Sequence, residues 1–216
     1  MKFLLNGREL EEEIGDNTPL GTALSDIQSQ NIADNEVIAA IWVDGEQLTA
    51  ELLSQWKDRP VRDFLETRID APKKNKLAAD SLRILAEGLA DSNSERETIV
   101  DSLGKGRSDE ALKGLPDYLQ IWQALQQSIS SLARLLKIDL DCLEIYSTSD
   151  PDDPEKSFLL ADHIKTLSEK LVDMKQALES EDFVFLSDII NYEFESLTKT
   201  WQSLLEELAD RFEHED

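Results

Sequence analysis

Basic residues are scarce in this 216-residue chain, where 22 lysines and arginines face 46 aspartates and glutamates and leave a formal charge of −24. Nucleic acids and anionic membrane surfaces are held mainly by cationic side chains, so neither is an expected partner. Cysteine is almost missing as well. The single Cys142 cannot form an internal disulfide, and no basic, apolar N-terminal stretch resembles a secretory signal or a membrane span; the expected setting is the cytoplasm. Glycine disappears after Gly114, leaving roughly a hundred C-terminal residues without a single one. What is present is apolar: 40% of residues, too many for a disordered acidic tail and enough for one or two cores.

The first seventy or so residues change texture quickly, as strands and hairpins do. Lys2 to Leu5 reads as a strand, Asn6-Gly7 as its turn and Glu9 to Ile14 as the returning strand. Thr18 as cap and Pro19 at the first helical position predict a helix to about Gln30, burying Leu20, Leu24 and Ile27. Glu36 to Val43 is apolar on both faces and predicts a central strand. Asp44-Gly45 then turns the chain into Gln47-Leu48, a short helix covers Ala50 to Trp56, and Val61 to Ile69 supplies a last strand. Ala71 to Lys76 reads as a locally basic hinge, which places a domain boundary near residue 72.

Beyond that boundary, apolar residues recur every three or four positions, the spacing of amphipathic helices. Ala78, Leu82, Leu85 and Leu89 form one stripe, Ser94 with Glu97 predicts a capped restart toward Leu103, and Gly104-Lys105-Gly106-Arg107 ends it. A short helix over Ser108 to Lys113 is expected to break at Gly114-Leu115-Pro116. A long helix follows with the seam Tyr118, Trp122, Leu125, Ile129, Leu132 and Leu136, and its stripe continues to Tyr146. Asp150 to Pro154 reads as a turn, with Asp153 capping and Pro154 opening a helix that carries Leu160, Ile164, Leu167, Leu171, Met174 and Leu178. Ser180 caps the last, striped by Leu186, Ile190, Phe194, Leu197, Trp201, Leu204 and Leu208, with Glu181 and Asp182 at its amide-rich end. The short connection between these two makes them an antiparallel hairpin, and the whole a bundle of about four helices. Trp122-Gln123-Ala124-Leu125 is echoed by Trp201-Gln202-Ser203-Leu204, but the residues around the two do not align.

Chemical motifs are missing. Neither His163 nor His214 has the glutamate three residues earlier that a helical carboxylate-bridged metal site needs, and the trio Asp162, Asp188 and Glu193 is unremarkable among so many acids. Gly104 to Arg107 follows a helix and is not a phosphate loop. Cys142 sits among acids that disfavour a thiolate. No catalytic, cofactor-binding or metal-binding residues are assigned, and no cofactor is expected.

The order hairpin, helix, strand, turn, short helix, strand over about the first seventy residues resembles the ubiquitin-like β-grasp fold. Met1 to Leu5, Thr18 to Gln30, Val37 to Leu48 and Val61 to Ile69 carry that resemblance, without the Gly-Gly terminus of the conjugated modifiers after Ile69. It implies a docking or scaffolding module. The expected fold class is thus α+β, a small β-grasp-like domain over residues 1–72 followed by an antiparallel, roughly four-helix bundle over 73–216. The expected function is a non-enzymatic protein-interaction module, an adaptor or assembly factor whose partner the sequence does not identify. Apolar surface left around Phe183, Phe185 or Tyr146 would serve self-association or a partner helix. The alternatives are a small acidic chaperone for a secreted or assembling subunit and a carboxylate-dependent metal hydrolase.

Overall fold

In the computed structural model, which describes residues 1–11, 14–146 and 157–214, the first elements follow directly from local sequence. Strand β1, Lys2–Leu5, turns through Asn6 and Gly7 into β2, Arg8–Glu9. Both turn residues have positive φ, 49° and 78°, as a tight two-residue hairpin requires. β2 is shorter than the expected Glu9 to Ile14: the register that sets Leu5 opposite Arg8 and Leu4 opposite Glu9 leaves Ile14 without a partner on β1, and residues 12 and 13 lie outside those described.

Helix α1 spans Leu20–Asn31 and buries Leu20, Ala23, Leu24 and Ile27. Its N-terminus is closed by backbone rather than by the expected Thr18 side chain. Pro19 occupies the cap position in extended conformation, and the amides of Leu20 and Gly21 donate to the carbonyls of Arg59 and Lys57 at 2.9 Å each. Strand β3, Ala40–Val43, and β4, Glu46–Gln47, flank the turn at Asp44-Gly45; helix α2, Ala50–Trp56, is capped by the Thr49 hydroxyl. Val61–Asp63 is a single 3₁₀ turn, so the last strand, β5, begins only at Glu66 and runs to Asp70.

The five strands form one mixed sheet in the order β2-β1-β5-β3-β4, with β1 and β5 parallel and β3 antiparallel to β5. The strand expected at the centre, β3, therefore lies beside it, and of its residues only Val43 is buried. On the face away from the core Trp42 is covered by the Arg68 guanidinium at 4.0 Å. β5 takes the centre because it alone pairs on both sides with long neighbours.

The segment expected to be a loose hinge is tied down. Ala71 is fully buried, and the Asn6 side chain grips it twice, accepting from its N–H at 2.8 Å and donating to its C=O at 2.9 Å. Asn6→Ala is expected to cost about 2–3 kcal/mol, from two hydrogen bonds of about 1 kcal/mol each and a left-handed backbone that asparagine tolerates better than alanine. Asn6→Gly keeps the backbone freedom and loses only the hydrogen bonds. Urea unfolding followed at the tryptophans should place it between the parent and Asn6→Ala.

The chain divides into two compact units, Met1–Leu77 and Ala78–Asp216. Helices α3, Lys74–Asp91, and α4, Asn93–Gly104, are joined at Ser92, which stays helical. The expected cap at Ser94 does not form because that hydroxyl bonds back to the Asp91 carbonyl and no helix end exists there to close. Helix α5, Ser108–Leu136, runs unbroken through Gly114 and Pro116, against expectation. Ala111, Leu115, Tyr118 and Trp122 carry one buried stripe across the proline, and that packing outweighs the roughly 3 kcal/mol a helical proline costs. α5 stops at Leu136 rather than reaching Tyr146. Lys137 adopts a left-handed φ of 56° and the Ile138 amide bonds the Ala133 carbonyl, a Schellman ending without glycine. Leu140–Cys142 is then a 3₁₀ turn, and β6, Glu144–Tyr146, pairs antiparallel with β7, Ser157–Leu159.

The turn expected over Asp150 to Pro154 lies outside the described residues, and helix α6, Leu160–Glu179, starts after it. Helix α7, Phe183–Asp188, is capped not by Ser180 but by Asp182, whose carboxylate accepts from the Phe185 amide at 2.9 Å; Ser180 instead ends α6, bonding the Gln176 carbonyl. A π-turn over Ile189–Glu193 joins α7 to helix α8, Phe194–His214, as one continuous rod. The rods run antiparallel. A Cβ on Gly88 would touch Ile121 while one on Gly114 would touch Ile99, and His163 meets the ring of Trp201 while Lys170 pairs with Glu193. The protein is therefore α+β, a small mixed-sheet domain followed by a helical bundle. Among the described residues no helix is long and apolar enough to cross a membrane.

Candidate interaction surface

The residues considered for chemistry are held apart or neutralised. Cys142 is exposed, and the Asp139 carboxylate beside it pushes its thiol pKa up, which disfavours the thiolate. Of the acidic trio, Glu193 is engaged by Lys170 at 3.3 Å, and among the described residues no three acids, histidines or cysteines converge to hold a metal ion. In the glycine loop, Lys105 and Arg107 both turn back onto Asp101, at 2.8 and 3.4 Å, so the basic charge is spent on the end of α4.

His163 lies on the wall of a groove of about 410 Å³ bounded by Ile145, Phe158, Leu204 and Glu207, with its ring set edgewise to Phe158 and Trp201. Its Nε2 is shut off from solvent and makes no hydrogen bond among the described residues. Burial holds its pKa below the usual value of 6.5, against the opposing pull of Asp162. The unfolded chain then binds this proton more readily, so stability present above about pH 6.5 is lost as pH falls toward the folded value. The urea midpoint is expected to drop between about pH 7.5 and about pH 5.5 in the parent and to change less in His163→Gln, because carboxylates are still mostly ionised there.

A buried polar centre sits where α4, α5 and the π-turn meet. The Arg96 guanidinium, almost fully buried, donates to the Asn191 carbonyl at 3.2 Å and to the Asn191 side-chain oxygen at 3.4 Å. Next to it, Tyr118 and Trp122 set their rings against Phe194, with centroids 6.1 and 5.2 Å apart. Burial pushes the Tyr118 phenol up to about 12, against opposing influences from Trp122, Arg96 and Thr198. A neutral phenol and one buried cation thus line the inner side of the π-turn.

Its outer side is apolar and open. Val184 is 75% exposed, Phe185 45% and Tyr192 67%, while Leu186, Ile189, Ile190 and Phe194 on the opposite side are buried. Of the positions expected to remain uncovered, Phe185 does; Phe183 is half-buried against the core, and Tyr146 falls in β6. Val184 and Tyr192 escaped the sequence reading. The run Phe183 to Phe194 holds more apolar residues than one stripe can bury, and that surplus was the available signal. Between Lys175 and Lys199 the chain carries six acids and no base. Glu193 and Glu195 are matched by Lys170 and Lys199, whereas Glu181, Asp182 and Asp188 make no ion pair among the described residues. The face is thus a small apolar patch in an acidic frame.

Comparison with curated proteins and with solved structures finds no match. The N-terminal unit matches the family described as TP0873 N-terminal domain over residues 1–71. Residues 89–204, more than half of the chain and including α4, the π-turn and the exposed face, match the family described as Domain of unknown function (DUF8042), and the protein belongs to that family.

Proposed function

We propose that this protein is a non-enzymatic protein-interaction module, an adaptor or assembly factor acting in the cytoplasm. The observation that carries the reading is the uncovered trio Val184, Phe185 and Tyr192 on a rod whose other side is core. Large apolar side chains grouped on one helical face are costly to leave in water, and a protein partner is the usual way of covering them. The π-turn supports the same reading, since such turns are uncommon and concentrate at functional sites; here it sets Tyr192 on the outer side while its inner side is held by Arg96. Cys142, exposed and unpaired, suits a reducing compartment.

The N-terminal unit is read as a β-grasp domain. Support comes from the strand order β2-β1-β5-β3-β4 with parallel central strands, and from α1 packing on one face of the sheet. The other face offers Trp42 beneath Arg68, an aromatic platform of the kind used for recognition.

The test is chemical cross-linking of the full chain in lysate of its native cell, comparing the parent with the triple variant V184S/F185S/Y192S. Proteins captured by the parent are expected to be lost from the variant. An unchanged capture profile from a variant with native circular dichroism refutes the reading.

A further inference from the structure

Resting on that reading, we infer that the face formed by α7 and the π-turn receives a basic amphipathic helix of another protein. Two observations select this occupant, and the second also argues against a copy of this chain. The patch is narrow: Val184, Phe185, Asp188 and Tyr192 are successive outward positions along one rod, which suits a partner helix presenting apolar residues at every third or fourth position. Its setting is acidic, with Glu181 and Asp182 at the head of α7 and Asp188 between Phe185 and Tyr192 all free of ion pairs among the described residues, so lysines or arginines beside the partner's apolar stripe find opposite charge along the rod. A second copy of this chain is disfavoured by the same setting, because a two-fold contact through this face would set those acids against their own counterparts.

The experiment uses the full-length protein and three fluorescent peptides of about five helical turns. One has leucine along one helical face and lysine elsewhere, one has the same composition shuffled around the helix, and one has glutamate in place of every lysine. Anisotropy titrations are expected to show the first binding at least about tenfold more tightly than the other two, with affinity falling as salt is raised. V184S/F185S/Y192S should abolish the preference over the shuffled peptide, and E181K/D188K, which leaves the apolar trio intact, should weaken binding of the ordered lysine peptide more than binding of the shuffled one. Equal binding of the ordered and shuffled lysine peptides overturns the inference, as does equal or tighter binding of the glutamate peptide. It is also overturned if light scattering gives the parent twice the mass of one chain and V184S/F185S/Y192S the mass of one. Should cross-linking in lysate depend on the trio while the peptides show no preference, the basic-helix inference fails and the module survives; if neither depends on it, both fall.

Discussion

Trp122→Ala is expected to lower the stability of the helical unit by about 3–5 kcal/mol, the range for truncating a large, fully buried aromatic. Trp122 has no exposed surface, lies on the central stripe of α5 and sets its ring edge-on to Phe194, the first residue of α8. Losing it opens a cavity where α5, the π-turn and α8 meet. Against a total stability of roughly 5–15 kcal/mol that is a large fraction, and the melting midpoint should fall by about 10 °C or more. Trp122→Phe separates two contributions. The indole N–H points toward the Tyr118 hydroxyl without reaching good hydrogen-bond geometry, so phenylalanine keeps most of the apolar contact and discards a buried donor whose desolvation is poorly repaid. It should cost less than half of the alanine change, read from the urea midpoint by circular dichroism. If both variants fall equally, the indole nitrogen has a partner and the account of a dry aromatic junction is wrong.

Much of the fold was legible because local signals and tertiary packing agreed. β1 ends at an Asn-Gly turn, α2 has the predicted bounds, and the stripes of α3, α5, α6 and α8 are the buried faces. Where the reading failed, packing or backbone bonding overrode a local cue. Pro116 looked like a break, yet the core stripe on either side of it was continuous. Ser94 and Ser180 looked like caps, but each hydroxyl bonds a carbonyl of the turn before it. The end of α5 was hidden because Lys137 takes the left-handed position that usually announces itself with glycine. The exposed face was half legible: Phe185 was expected to remain uncovered, whereas Tyr192 depends on a π-turn. An extra residue inserted into a helix leaves no compositional mark, since Ile189 to Glu193 reads as ordinary helix in sequence.

Arg96→Ala is the second large effect, about 2–4 kcal/mol, and its companion Arg96→Met shows what the arginine is for. The Arg96 side chain is only 7% exposed, yet the carboxylate oxygens of Glu195 and Glu97 lie 3.9 and 4.0 Å from its Nη2 and are themselves solvated. Charge pairing therefore contributes little. Its Nε donates to the Asn93 side-chain oxygen at 3.4 Å within α4, and its contacts beyond that helix are to Asn191 in the middle of the π-turn, where a widened backbone leaves the carbonyl turned toward α4. Alanine removes both the packed stem and this donor, whereas methionine restores the stem alone. Arg96→Met should thus recover at least half of the lost stability while the Asn191 carbonyl stays without its partner. Amide hydrogen exchange is then expected to accelerate at 189–194 and to remain near parental rates in α5 and α6. Because Tyr192 is carried by that same turn, Arg96→Met should also weaken capture of whatever covers Val184 and Phe185, with all three exposed side chains still present. Unchanged exchange at 189–194 in Arg96→Met would show that the π-turn holds itself, and that Arg96 contributes packing and nothing more.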